Sequence, residues 1–129
     1  MKIEFNTLHW DNVDKDMLEA HQRVMKHFGI PVNYHNLTGF NHGKWMDEVV
    51  KRSESDVVCI IEPDCIPLNK DKLIDTIKYA YTNNTFVGIA QVSNHILPRS
   101  HIYAAPGYYA ITPSIYKELG APSFTETYR

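Results

Sequence analysis

The stretch Asp56-Val-Val-Cys-Ile-Ile-Glu-Pro-Asp-Cys-Ile-Pro-Leu68 decides the fold of this chain. Its apolar run, Val57 to Ile61, is too short for an ordinary helix and is rich in Val and Ile, and Pro63 follows soon after it. Such a run is typical of a strand that is buried on both faces, as in a parallel sheet. Two carboxylates, Glu62 and Asp64, come where that burial should end.

The position of Glu62 and Asp64 favours a binding role. Ligands of open α/β sheets bind in the crevice outside the carboxyl ends of the strands. An acidic pair at that place is suited to hold a divalent cation and, through it, phosphate oxygens. The alternative is a solvated turn, because Glu, Pro and Asp are all common in turns.

Helix and strand patterns alternate on both sides of this stretch. The upstream pattern predicts a strand over residues 2–7, a helix over 16–28 with Asp14 as its cap and Gly29 as its end, a strand over 30–37 and a helix over 44–52. The downstream pattern predicts a helix over 70–81 capped by Asn69, a strand over 86–92, an extended segment over 101–112 and a short helix over 113–119. This order predicts a single-domain, Rossmann-like α/β fold with a mostly parallel central sheet flanked by helices.

Length and composition narrow the classes of protein. The chain has 129 residues, 43% hydrophobic and 22% charged, which suits one globular domain and not a disordered segment. A net charge of -2 offers no basic field for non-specific nucleic-acid binding. No apolar run is long enough to span a membrane, and no secretory signal pattern opens the chain.

The two cysteines, Cys59 and Cys65, lie in one extended segment, where a bridge would require the chain to fold back on itself. We therefore expect free thiols and a cytoplasmic protein. Neither cysteine has the spacing of a zinc site.

Several histidine and basic side chains are candidates for phosphate or acceptor contacts. His42 and Lys44 stand before a helix, where backbone N–H groups favour anions, although a plain connecting loop would look the same. Arg99 is a candidate partner of a diphosphate, and His101 is a candidate metal or acceptor contact, against a simple surface role for both. His21 and His27, on the first predicted helix, are expected to be solvated or half-buried.

The aromatic residues divide between core and site. Trp45 has helical spacing with its apolar neighbours and is expected in the core. Tyr108 and Tyr109 are neighbours in an extended segment, so their side chains point to opposite faces. One of the two is therefore a candidate wall of an acceptor cleft.

Three segments, in this order and spacing, resemble the GT-A fold of glycosyltransferases, especially the family 2-like group. Asn41-His-Gly-Lys44 with Glu48 is similar to the Gly-containing helix that precedes the DxD strand of that group. Glu62-Pro-Asp64 occupies the place of the DxD motif, with Glu where members usually have Asp. The run from Gly107 to Gly120, followed by Pro122-Ser-Phe-Thr-Glu126, is similar to the strand, helix and G-x-F-x-E segment of that group. In the group, this segment carries the catalytic carboxylate.

The resemblance implies a metal-dependent transfer of a sugar from a nucleotide-diphosphate donor to an acceptor hydroxyl. It implies Mn²⁺ or Mg²⁺ as cofactor, with Asp64 in direct contact and Glu62 facing the ribose or the metal through water. The implied contacts with base and ribose lie at the end of the first strand, at Thr7, His9 and Trp10, and the implied general base is Glu126. His42 and Lys44 join the predicted nucleotide-sugar contacts because of their place before a helix. Because members are usually longer, the chain is expected to lack a C-terminal part of the acceptor site.

Two rival functions remain at this point. One is an inactive or truncated remnant that binds a nucleotide or a protein. The other is a different metal-dependent enzyme acting on a phosphoester, such as a nucleotidyltransferase. The latter should carry a Gly-rich phosphate loop after the first strand, and Thr7-Leu-His-Trp-Asp11 contains no glycine.

Overall fold

Helices and strands alternate through most of the chain, of which the computed structural model describes residues 1–92 and 102–125. The elements in chain order are β1 (Ile3–His9), α1 (Lys15–His27), β2 (Asn33–Asn36), α2 (His42–Arg52), β3 (Val57–Ile61), α3 (Lys70–Thr82), β4 (Phe86–Val92), β5 (Ile102–Ile111) and α4 (Pro113–Glu118). The strands form one sheet in the order β2-β1-β3-β5-β4. The α/β class and the predicted succession of elements are therefore confirmed.

The sheet is mixed, with β5 as its exception. β1 pairs in parallel with both β2 and β3, whereas β5 is antiparallel to β3 and to β4. Four of the five strands therefore point the same way, as the prediction of a mostly parallel sheet requires. Because β5 runs backwards, its central residues reach the carboxyl end of β3, where Ile61 is paired with Tyr108.

The core explains the unbroken apolar run of β3. All five β3 residues are at most 1% exposed. Val57, Cys59 and Ile61 pack with residues of α1 and α3, and Val58 and Ile60 pack with residues of α2 and α4. A strand covered by helices on both faces has no polar face, so its sequence does not alternate.

Capping side chains set the starts of the helices. Asp14 Oδ1 accepts hydrogen bonds from the amides of Asp16 and Met17, at 2.9 and 3.2 Å. Asn69 caps α3 in the same way, so both predicted caps are confirmed. Asn41 Oδ1 accepts from the Lys44 amide at 3.0 Å, and α2 therefore begins two residues before the predicted start.

The first two strands differ from their predicted bounds. β1 continues two residues past Thr7 because Leu8 and His9 still pair with β2. β2 begins only at Asn33, since the Ile30 amide donates to the Met25 carbonyl and so belongs to the end of α1. These changes bring His9 to the carboxyl edge of the sheet.

His21 corrects one expectation. It is fully buried, not solvated or half-buried, whereas His27 is exposed as expected. Its Nδ1 lies 2.8 Å from the Tyr34 hydroxyl, and burial lowers its pKa. His21 shares a helix face with Met25, four residues on, which also faces the core.

Trp45 is buried and both cysteines are free, as predicted. Among residues 1–92 and 102–125, no helix combines the length and the apolar character needed to cross a membrane.

Candidate functional site

A cleft of about 660 Å³ lies at the carboxyl ends of β1 and β3, and we call it the acidic cleft. Its walls come from the end of β1 and the start of α1, from the loop before α2 and from the turn after β3: Leu8, His9, Trp10, Asn12, Val13, Met17, Gly39, Phe40, Asn41, His42, Glu62, Pro63 and Asp64. Parallel strands bring their carboxyl ends to one edge, so this is where the sequence predicted a ligand site.

Glu62 and Asp64 form the acidic side of this cleft. The Glu62 amide donates to the Gly107 carbonyl of β5 at 2.9 Å, and the Cys65 amide donates to the Glu62 carbonyl at 2.9 Å, so the turn is tied to β5 at Glu62 and closed by a hydrogen bond of its own. Burial raises the pKa of Glu62, and the charge of Asp64 and a hydrogen bond to it add to that shift. Asp64 itself is exposed. Two carboxylates that repel one another at a strand end are stabilised by a cation between them.

His42 faces the acidic pair from the start of α2. Its Nε2 lies 3.9 Å from Glu62 Oε1. Burial lowers the pKa of His42, so the ring is neutral at neutral pH and this contact is not an ion pair there. The ring packs on Trp45, with 5.5 Å between centroids. His42 thus presents a neutral imidazole to whatever occupies the cleft.

The donor set fits a metal ion that is shared with a ligand. Mg²⁺ is commonly held by one or two carboxylates together with substrate phosphates. Glu62 and Asp64 supply that number, and no cluster of three or more His, Cys, Asp or Glu suited to a metal occurs in the described part of the chain. A metal here would complete its coordination with water molecules or with the phosphate oxygens of a ligand.

A second space, the aromatic cavity, has a volume of about 940 Å³ and adjoins the acidic cleft. Asn41 and His42 border both spaces. In the aromatic cavity, the Tyr109 ring stacks on Phe86 at 5.7 Å and meets Phe124 edge-on at 5.8 Å. Aromatic faces of this kind can stack against a sugar or another flat apolar group.

The predicted site residues separate into groups. His9, Trp10, His42, Glu62 and Asp64 meet at the acidic cleft. Lys44 and Tyr109 line the aromatic cavity instead.

Thr7 and Tyr108 are not brought to the acidic cleft. Thr7 is fully buried and does not line it. The Tyr108 hydroxyl lies 2.6 Å from Thr76 Oγ1 of α3, on the face of the sheet opposite Tyr109. The predicted split of the two tyrosines between the faces is therefore confirmed, and it is Tyr109, not Tyr108, that borders the aromatic cavity. Arg99, His101 and Glu126 lie outside the described residues.

Asp47 of α2 was not predicted from the sequence, although its carboxylate accepts a hydrogen bond from the Phe124 amide. No local signal could have found it, because the contact joins residues 77 positions apart. The hydrogen bond from the Glu62 amide to the Gly107 carbonyl was not predicted either.

The loop between β1 and α1 offers little to an anion. The Asp14 carboxylate already binds two of the free amides at the start of α1. Asp11, in the same loop, accepts from Asn36 Nδ2 at 2.8 Å, and this bond lowers the pKa of Asp11. An ionised Asp11 and an occupied helix start both disfavour phosphate at this point.

The raised pKa of Glu62 makes a prediction about stability. The folded protein binds a proton at Glu62 more readily than the unfolded chain, so this group destabilises the fold as pH rises through its folded pKa. Glu62→Gln should therefore raise the melting temperature at neutral pH. Because the side chain is 34% exposed and solvent screens the repulsion, the increase should be only about 1–3 °C.

Thermal melts of wild type and Glu62→Gln at neutral pH and near pH 4 test this prediction. The difference between the two proteins should shrink at about pH 4, where the wild-type carboxyl takes up a proton. A variant that melts below wild type at neutral pH would show that the carboxylate stabilises the fold.

No protein-family model matches the sequence, and no curated protein matches it. Solved structures do match. The bifunctional IspDF from Campylobacter jejuni superimposes with a TM-score of 0.60 at 11% identity, over 99% of this chain and 45% of that one.

A second solved structure, CMP:2-keto-3-deoxy-manno-octonic acid synthetase complexed with CTP, has a TM-score of 0.57 at 10% identity. The match covers 98% of this chain and 80% of the synthetase, whereas this chain spans less than half of IspDF. At such identities the likeness establishes the fold alone. The chain has a Rossmann-like α/β fold that it shares with a synthetase solved with a bound nucleotide.

Proposed function

We propose that the chain binds a nucleotide-diphosphate sugar in the acidic cleft, together with Mn²⁺ or Mg²⁺, and transfers the sugar to an acceptor hydroxyl. The observation that carries the proposal is the pair Glu62 and Asp64 at the carboxyl end of the buried strand β3. Burial and mutual repulsion raise the pKa of Glu62, and a divalent cation would relieve both effects. The fold shared with a CTP-bound synthetase supports nucleotide binding as the common element.

The residues around the acidic pair have distinct roles in this proposal. Asp64, the exposed carboxylate, contacts the metal, and Glu62 faces the ribose or the metal through water. His9 and Trp10 flank the base and ribose, and Trp10 is 41% exposed, which leaves its ring available for stacking. The neutral His42 donates a hydrogen bond to a phosphate oxygen. When bound, the metal supplies charge stabilisation for the departing diphosphate.

The acceptor side is assigned to the aromatic cavity. Tyr109 and Lys44 line it, and Arg99 and His101 remain candidates for phosphate or acceptor contacts. In the transfer, the acceptor oxygen forms a bond to the anomeric carbon while the bond from that carbon to the diphosphate oxygen breaks. The hydroxyl proton goes to a carboxylate base, for which Glu126 is our candidate.

Nucleotidyl transfer is the second candidate, because the structural match to a CTP-bound synthetase favours it. A nucleoside triphosphate would need donors for its additional phosphate. The loop after β1 supplies none readily, since Asp14 caps the start of α1 and Asp11 adds negative charge. This favours a diphosphate donor over a triphosphate substrate.

Calorimetric titration with UDP, GDP, CDP and CTP, each with and without Mn²⁺, tests the proposal. We expect one nucleoside diphosphate to bind at least about tenfold more tightly with the metal than without it. The reason is that its phosphate oxygens and the two carboxylates coordinate the same metal ion. Metal-dependent binding of CTP well above CDP would favour nucleotidyl transfer. The absence of binding by all four nucleotides would contradict both functions and leave the remnant as the better description.

A further inference from the structure

The last described segment, residues 123–125, is held on α2 by one carboxylate. Asp47 Oδ1 accepts from the Phe124 amide at 2.7 Å, and Asp47 Oδ2 accepts from the Ser123 hydroxyl at 2.8 Å. The Ser123 oxygen in turn accepts from the Thr125 amide at 3.1 Å. One side chain of α2 therefore fixes the backbone of a segment 76 and 77 residues away.

Gly43 lets this segment lie directly against the helix. A Cβ atom at Gly43 would stand 2.6 Å from the Phe124 carbonyl oxygen and 2.9 Å from Thr125 Cα. Contacts that short do not occur for real side chains, so a glycine is required here for close approach and not for its backbone angles. Gly43 and Asp47 are four residues apart and share one face of α2.

Aromatic packing holds the Phe124 side chain of the segment in place. The Phe124 ring stacks on Tyr116 of α4, with 5.5 Å between centroids and 5° between planes, and meets Tyr109 edge-on. Phe124 and Thr125 thereby become part of the wall of the aromatic cavity. The wall continues through Gly43 to His42, which borders the acidic cleft.

We infer that Asp47 is a positioning residue: it docks residues 123–125 on α2 and so sets the acceptor side of the site relative to the acidic pair. The inference rests on the proposed function, because it assigns the aromatic cavity to the acceptor. Asp47 itself lines neither space, and it acts through the Phe124 amide and the Ser123 hydroxyl that it holds. Its charge also adds to the effect of burial in raising the pKa of Tyr116, the ring on which Phe124 stacks. Loss of Asp47 should therefore affect turnover and not the binding of the nucleotide.

The test compares Asp47→Ala with Glu48→Ala as its control. Glu48 is the next residue on α2, and the one contact described for its carboxylate is an ion pair with exposed Arg52. Amide hydrogen exchange at Phe124 reports docking without any need for activity. We expect exchange at this amide to be faster in Asp47→Ala by about tenfold or more, and unchanged in Glu48→Ala. Ser123→Ala, which leaves the bond to the Phe124 amide, should give an intermediate rate.

Kinetics then separate positioning from a purely structural role. In Asp47→Ala we expect the affinity for nucleotide in the presence of metal to stay within about twofold of wild type. We expect turnover, measured as donor hydrolysis or transfer, to fall on the order of 100-fold. Unchanged exchange at Phe124, or turnover equal to that of Glu48→Ala, would overturn the inference. Failure of the proposed function appears separately, as a wild type that binds no nucleotide; the exchange rate alone would then decide whether Asp47 docks the segment.

Discussion

We expect Asp64→Asn to lower the affinity for nucleotide in the presence of metal by about 100-fold or more. The reason is that affinity for a hard cation depends on the number of charged oxygen ligands. Asparagine keeps the size of the side chain and one oxygen but removes the charge. Asp64 is exposed at the end of β3, outside the core, so the melting temperature should change little. Calorimetric titration with nucleotide and Mn²⁺, paired with a thermal melt, measures both quantities.

The matched control is Asp75→Asn, an exposed carboxylate on α3 that lies outside the acidic cleft. It should bind nucleotide as wild type does. Asp64→Asn has a second consequence, because the charge of Asp64 contributes to the raised pKa of Glu62. The stabilisation expected for Glu62→Gln at neutral pH should therefore be smaller in the Asp64→Asn background. Intact metal-dependent affinity in Asp64→Asn would refute the metal assignment.

The parts of the fold that the sequence predicted are those with a local cause. The buried strand β3 is marked by its own apolar run, and the caps at Asp14 and Asn69 bond to amides only two or three residues away. The acidic pair follows from the same logic, since the end of a buried strand in an α/β sheet is a binding edge. For this reason the acidic cleft could be predicted at Glu62 and Asp64 without knowledge of the tertiary structure.

What the sequence did not predict depends on contacts between distant residues. The reversal of β5 places Gly107 against Glu62, and no local pattern encodes the direction of a strand. His21 was expected to be solvated or half-buried, yet it is buried against Tyr34, which lies on another element. Thr7 was expected at the strand end, but β1 continues to His9 and leaves Thr7 in the interior.

The role of Gly43, beside the site, also depends on a contact with residues far away in the sequence. In the sequence it stands beside His42 and Lys44, where a glycine suggests room for a phosphate at a helix start. In the structure, the space beside Gly43 is filled by the backbone of Phe124 and Thr125. The glycine therefore allows contact between two parts of the chain, and the proposed phosphate site rests on the acidic pair across the cleft, which would bind phosphate through a metal ion.

Gly43→Ala should produce the other large effect. Alanine favours a helix over glycine by at most about 1 kcal/mol, and by less in the first turn, where Gly43 lies, so the propensity of the new residue does not weaken α2. Against this, the new methyl group would overlap the Phe124 carbonyl oxygen at 2.6 Å, and the neighbour is backbone, which cannot rotate away. We expect α2 to persist and residues 123–125 to leave it, with turnover reduced on the order of 100-fold and nucleotide affinity nearly unchanged.

Turnover, nucleotide affinity and exchange of the Phe124 amide measure this outcome, with Lys51→Ala as a control at an exposed position of the same helix. Because Gly43 and Asp47 support one contact, the double variant Gly43→Ala/Asp47→Ala should be no worse than either single variant. Losses that add would mean that the two residues act separately. A large loss of nucleotide affinity in Gly43→Ala would mean that α2 yields instead of the segment, since His42 at its start would then move away from Glu62.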